Sequence, residues 1–164
     1  MAKFNLSDVK IFLRYHVALS IDVIHGGKTI GRLVVDKGAS TCVRSLSCWK
    51  AVGSPKLVPS NTLLTAFDGR LSNPHGILPD FEIKLAGKAV SVEVEVIDAP
   101  LDYNLLLGRS WTYHMCTISS VILRVVVFPH EGKLVTIGQL SFTRKGHMET
   151  NDSTVPCHWL IRSN

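Results

Sequence analysis

Short apolar runs broken by glycine-bearing turns dominate the chain. Residues 17–24 (VALSIDVI) are rich in β-branched side chains and meet a second such run, 29–35 (TIGRLVV), across His25-Gly26-Gly27-Lys28. Two glycines that can take positive φ make this tetrapeptide a hairpin turn. Residues 62–67 (TLLTAF) form another apolar run, stopped at Asp68-Gly69, a strong turn dipeptide. Residues 81–85 and 89–97 flank Ala86-Gly87-Lys88 and predict a further hairpin. Within it Val90, Val92, Val94 and Val96 alternate with Ser91, Glu93 and Glu95, the pattern of a strand with one buried and one wet face. Leu105-Leu106-Leu107 reads as a short buried strand, and Arg109 to Met115 as one or two helical turns. Residues 122–128 and 134–137 read as strands around Pro129-His130-Glu131-Gly132, while residues 7–17 allow a short capped helix. The fold class predicted is all-β, a small barrel or sandwich.

Composition agrees with this picture and removes alternatives. The chain has 164 residues, 46% hydrophobic and 19% charged. That is enough apolar surface for the core of one domain and too much for a disordered chain. The net charge of +5 is spread as +2, +1 and +2 over residues 1–36, 37–110 and 111–164. No basic run tracks a phosphate backbone, and Trp49, Trp111 and Trp159 are scattered, so nucleic acid is not an expected partner. The longest stretch without Asp, Glu, Lys or Arg is 14 residues, 110–123, too short to span a bilayer. Lys3, Asp8, Lys10 and Arg14 interrupt the N-terminus where a secretory signal needs an apolar run. Cys42, Cys48, Cys116 and Cys157 have no metal-ligand spacing, so reduced thiols, no metal and no cofactor are expected. His114, His130 and His147 lack the partners of a Ser-His or Cys-His device, and Cys42 has no activating context.

Chemistry concentrates in two segments. Val34-Val35-Asp36-Lys37-Gly38-Ala39-Ser40-Thr41 places a carboxylate at the end of a buried strand, ahead of a tight turn. Far downstream, Asn104-Leu105-Leu106-Leu107-Gly108-Arg109 is an apolar strand ending in Gly-Arg. The pair resembles the retropepsin-like aspartic proteases, most closely the protease domain of plant Gypsy-type LTR retrotransposon polyproteins. The resemblance covers roughly residues 16–142 and implies an acid-protease barrel with a hairpin flap and one short helix after Gly-Arg. Asp36 would be catalytic, with Lys37, Gly38, Ala39 and Ser40 as its loop. Phe67, Asp68, Gly69 and Arg70 would form the substrate-covering flap, and Leu107, Gly108 and Arg109 the structural motif. Residues 1–15 then read as an N-terminal extension and 143–164 as a polar linker or tail. The implied setting is intracellular and cytoplasmic, including virus-like particles.

Metal-free peptide hydrolysis of this type uses two carboxylates that share one proton, because like charges about 3 Å apart cannot both ionise. The chain has one Asp-x-Gly-Ala motif. A dyad therefore requires a homodimer in which each chain gives its Asp36, acting on an extended polypeptide. Two positions depart from the family pattern. Lys37 stands where a hydroxyl residue is usual, and its ammonium beside the dyad would oppose the shared-proton state. Ser110 replaces Asp or Asn after Gly-Arg, where it could cap the following helix. The alternative is a catalytically impaired peptide-binding or dimerisation module, or a decayed copy of an element. A generic ligand-binding β-barrel is a third reading.

Overall fold

The computed structural model describes residues 18–66 and 68–139. The expectations for the N-terminal extension, its short helix, Phe67 and the 143–164 tail lie outside the described residues. Two hairpins begin the architecture. Strands β1 (Ser20–His25) and β2 (Lys28–Val35) pair antiparallel, with Gly26 and Gly27 at φ +54 and +76 in the turn between them. Strand β3 (Cys42–Ser45) follows, then helix α1 (Leu46–Ala51), whose first turn is capped by the Ser45 hydroxyl accepting from the Cys48 amide. Strands β4 (Leu64–Thr65) and β5 (Leu71–Ser72) form a small separate hairpin. Strands β6 (Gly76–Leu85) and β7 (Lys88–Ile97) make the second long hairpin, turned at Ala86 and Gly87 with φ +45 and +92. Strand β8 (Leu105–Leu107) leads into helix α2 (Arg109–Met115), and β9 (Ile118–Ser120), β10 (Val125–His130) and β11 (Lys133–Gly138) close the described chain.

Six strands form a closed barrel in the order β1-β2-β8-β3-β7-β6. Closure removes the unpaired edges that an open sheet of this size would present. The order is not sequential. β8 inserts between β2, which it joins in parallel, and β3, which it joins antiparallel. The chain segments before it are tied down: the Asn104 side-chain amide donates to the Gly31 carbonyl at 2.8 Å, and the Arg32 guanidinium donates to the Asp102 carbonyl. Leu33, Val35, Leu105, Leu107, Val94, Val96 and Ile83 fill the barrel with Trp111 and Met115 of α2. Strands β9–β11 form a second sheet that sends Val126 and Phe128 into the same core. Lys88 fastens the two parts, its ammonium donating to the Met115 carbonyl at 2.6 Å and the Pro129 carbonyl at 3.1 Å.

Five readings of the chain need correction. Cys48, expected as a reduced thiol, is disulfide-bonded, while Cys42 and Cys116 are free. The 62–67 run supplies only the two residues of β4, and residues 121–124 turn rather than extend, because Arg124 adopts φ +56 to aim its guanidinium at the Ala18 carbonyl and the Gln139 side chain. Ser110 lies inside α2 rather than capping it; Gly108 holds the cap position, and the Ser110 hydroxyl meets the Cys42 thiol at 3.4 Å. Glu95, expected on a wet face, is 4% exposed.

The tightest approach in the fold is at Gly108. A Cβ there would lie 2.1 Å from the Thr41 carbonyl oxygen, 2.7 Å from its carbon and 3.0 Å from the Ala39 oxygen. All three are backbone atoms that cannot swing aside. Gly108→Ala is therefore expected to destabilise the chain by more than about 3 kcal/mol, beyond ordinary overpacking. At the usual slope of ~1–3 kcal/mol per molar urea the unfolding midpoint falls by about 1 M or more; an unchanged midpoint contradicts the packing described here.

Candidate active site

Asp36 follows directly on Val35, the last residue of β2. Its own amide donates to the Leu107 carbonyl at 3.0 Å, extending the β2–β8 ladder by one residue. The chain then turns so that the Gly38 amide donates to Asp36 Oδ1 at 2.7 Å. A Cβ on Gly38 would sit 3.1 Å from that oxygen, so glycine lets the amide come within bonding distance. The loop is locked from the other side by the Arg109 amide, which donates to the Ala39 carbonyl at 2.9 Å. Two loops far apart in sequence, 36–41 and 107–109, are thus bonded into one rigid unit through backbone groups. Asp36 itself is exposed in the single chain, as are Lys37 and Ser40, while Ala39 is half-buried. Arg109 enters this unit through its backbone amide.

Lys37 is the departure that matters most, and its orientation has a clear geometry. The ammonium donates to the Ser119 carbonyl of β9 at 3.4 Å. The positive charge is thereby engaged by the second sheet.

The surface beside Asp36 follows from strand register. Val34 lies opposite Leu106, Leu106 opposite Val43, Val43 opposite Glu95, and Glu95 opposite Ile77. Alternation along β2 puts Val34 and Asp36 on one face and the core residues Leu33 and Val35 on the other. The row therefore runs across five strands from the aspartate to Ile77. The Ile77 backbone is bridged in both directions to Val58, at 2.9 Å each way, just before the 64–72 hairpin. Val34, Leu106, Val43 and Ile77 are half-buried, a partly open apolar wall. Glu95 is the polar member, and its Oε2 has no hydrogen-bond partner among the described residues.

The small hairpin carries Asp68, Gly69 and Arg70 at its tip. Gly69 turns at φ +81 and donates to the Ala66 carbonyl; the Arg70 amide and guanidinium both donate to the Asp68 carboxylate, at 3.1 and 2.5 Å. The Arg70 amide first, then its side chain, hold the Asp68 carboxyl below the usual carboxylate range. Leu63, just before this hairpin, and Leu71 within it are exposed, 54% and 63%.

Two neighbours of the aspartate loop have perturbed ionisation. Tyr103, which the sequence did not single out, has its phenol pushed up by burial first and by the negative charges of Asp102 and Asp36 second. Cys42 begins β3 just beyond the loop, and burial raises its thiol against hydrogen bonds from Ser110 and the Gly108 and Trp111 amides. A buried, protonated thiol is the opposite of an activated nucleophile. Among the described residues no group of three His, Cys, Asp or Glu side chains gathers as metal ligands do.

Comparison with known structures agrees with this topology. The retroviral protease-like domain of Ddi1 from Leishmania major superposes with a TM-score of 0.59 at 14% identity, covering 78% of this chain and 98% of that one. A retropepsin-like aspartic protease from Rickettsia conorii matches with a TM-score of 0.47 at 21% identity, over 63% and 76% of the two chains. EIAV protease, solved with the inhibitor HBY-793, matches with a TM-score of 0.49 at 16% identity, over 73% and 100%. The chain has the retropepsin-like fold, all-β with a closed barrel. No family model and no curated protein matches it.

The link between Tyr103 and Asp36 is directly measurable. Removing the aspartate charge in Asp36→Asn lowers the pH at which Tyr103 titrates, yet leaves it above the ordinary value near 10 because burial is the larger cause. Ring-carbon NMR of labelled tyrosine reads this; an unchanged Tyr103 titration contradicts the placement.

Proposed function

We propose that the chain is one half of an aspartic endopeptidase that works as a homodimer. The observation that carries this reading is the Asp36 carboxylate, gripped through Oδ1 by the Gly38 amide and exposed directly after β2 of a retropepsin-like barrel. One Asp-x-Gly-Ala motif per chain means that a dyad forms only when two copies bring their Asp36 side chains together across a two-fold axis. In that pair one carboxylate, ionised, accepts a proton from the attacking water, and the other, protonated, donates to the carbonyl oxygen of the peptide bond. The first carboxyl, now protonated, then donates that proton to the amide nitrogen as the C–N bond breaks, while the hydroxyl of the tetrahedral intermediate returns its proton to the second carboxylate, which restores the starting pair.

Substrate would lie extended along the Val34–Leu106–Val43–Ile77 wall, its backbone pairing with exposed strand groups and its side chains filling half-buried apolar sites. The 64–72 hairpin, with Leu71 exposed within it and Leu63 exposed just before it, would cover it. Its Asp68–Arg70 ring suits acid conditions. A carboxyl held below its usual pKa contributes above that pKa and loses its contribution only as pH falls through the depressed value, so the ring stays closed across about pH 4–6.

The polyprotein setting, a retroelement protease acting inside the cell, rests on the sequence resemblance. A second reading keeps the fold and the dimer but removes the activity, because Lys37 cannot supply the hydroxyl that normally bridges the two loops. The Lys37–Ser119 contact favours the active reading, since it engages the ammonium away from the carboxylate's Gly38 bond.

A peptide-cleavage assay near pH 5 decides between them. The native chain should cleave, Asp36→Asn should lose at least about 10³-fold in rate, the scale of losing an essential acid–base group, and Lys37→Ser should stay within about tenfold of native. Cleavage surviving Asp36→Asn removes the aspartic mechanism, and cleavage by Lys37→Ser alone establishes the impaired reading.

A further inference from the structure

Glu95 is the acidic member of the strand row that flanks Asp36, and it is 4% exposed. Its Oε2 has no hydrogen-bond partner among the described residues. A carboxylate taken out of water without a donor carries a desolvation cost that a donor would offset. Buried polar atoms in native folds are nearly always satisfied, so an orphan of this kind calls for a reason.

The strand itself supplies none. Alternation along β7 sends Val92, Val94 and Val96 into the core and turns Glu93 and Glu95 to the other face. Glu93 is exposed there, whereas Glu95 is covered between Val43 of β3 and Ile77 of β6, both half-buried and apolar. Arg44, next along β3, lies opposite Val96 and so belongs to the core-facing row. Its Nε–H donates to the Asn104 carbonyl at 3.3 Å, and its guanidinium carbon lies 5.2 Å from the Phe81 ring centre.

The place of Glu95 along the wall sets what it could meet. From β2, which leads into Asp36, the barrel order passes β8 and β3 to reach β7. Three strand spacings of ~4.8 Å put Glu95 about 14 Å along the sheet from β2. An extended peptide advances ~3.3 Å per residue and covers that span in about four residues, fewer on a curved wall.

We propose that Glu95 is a specificity-determining residue that receives a lysine or arginine side chain of an extended peptide, about two to four residues from the bond to be cut. The inference rests on the protease reading for the bond that is cut; recognition of the basic side chain needs only peptide binding. The aliphatic stem of such a side chain packs against Val43 and Ile77 while its cationic head donates to the carboxylate. An apolar side chain of equal length leaves the carboxylate without a donor, and an acidic one brings like charge to it. In the homodimer the two copies place one Glu95 on each side of the cut.

The test uses the full chain and one library of peptides randomised on both sides of their centre. In the first arm native and Glu95→Gln chains digest the library, and the products are sequenced by mass spectrometry. Native chain should prefer lysine and arginine over norleucine by at least about tenfold at a position two to four residues from the cut. Glu95→Gln keeps the shape and removes the charge, so it should still cleave but without that preference. Glu95→Leu, matched to its apolar neighbours, should favour norleucine, and it decides the matter if the glutamine variant fails to fold. In the second arm the library is panned on immobilised Asp36→Asn chain, with and without Glu95→Gln, so that recognition is read without cleavage. Basic enrichment that needs Glu95, with no cleavage by native chain, supports the inference and removes the protease reading. Cleavage with no basic preference, or with one that both Glu95 variants retain, overturns the inference and leaves the protease reading standing. Absence of both binding and cleavage overturns both.

Discussion

A single missing methyl group holds this fold together at the point where its chemistry would sit. At Gly108 the backbone of β8 runs against the 39–41 loop so closely that any side chain would overlap the Thr41 carbonyl. That approach lets β8 lie between β2 and β3, lets the Arg109 amide reach Ala39, and lets the Asp36 amide reach Leu107. Three backbone hydrogen bonds, counting Gly38 to Asp36, then fix the aspartate without using any side chain except its own. Backbone groups have fewer conformations to lose than long side chains, so a carboxylate held this way is positioned in advance of any substrate.

The same economy leaves the aspartate open to solvent in the single chain. Asp36 is fixed but exposed, the wall beside it is only partly buried, and Leu63 just before the 64–72 hairpin and Leu71 within it are exposed among the described residues. In the proposed homodimer each of these would be used across the two-fold axis. Lys37 fits the arrangement because its long stem carries the ammonium to Ser119 on the neighbouring sheet.

The legible parts of the fold were those with local signals. Paired glycines marked the β1–β2 turn, Ala86-Gly87 marked the β6–β7 turn, and the apolar triplet before Gly108 marked β8 and the helix after it. What escaped notice depends on contacts distant in sequence. β3 carries an arginine in mid-strand and reads as polar, yet Arg44 is buried because β8 and β7 close on either side. Helix α1 is six residues long and leans on a Ser45 cap, too short for a period to show. Glu95 follows the alternation of a half-wet strand but is covered between Val43 and Ile77 by a parallel pairing that no local pattern announces. At the site, Asp36 and its glycine were readable from their motif, whereas Tyr103 was not, because its proximity to Asp36 arises only once β8 is inserted. Phe67 lies outside the described residues.

The central claim is that one chain carries half of an active site, and subunit mixing addresses it most directly. A fixed amount of native chain is equilibrated with about a tenfold excess of Asp36→Asn chain, and peptide cleavage is followed near pH 5. If two Asp36 side chains are required, native pairs are diluted into mixed ones and activity falls to roughly one-tenth of its starting value. Activity that stays constant as the variant is added means that a single Asp36 suffices, and contradicts the account.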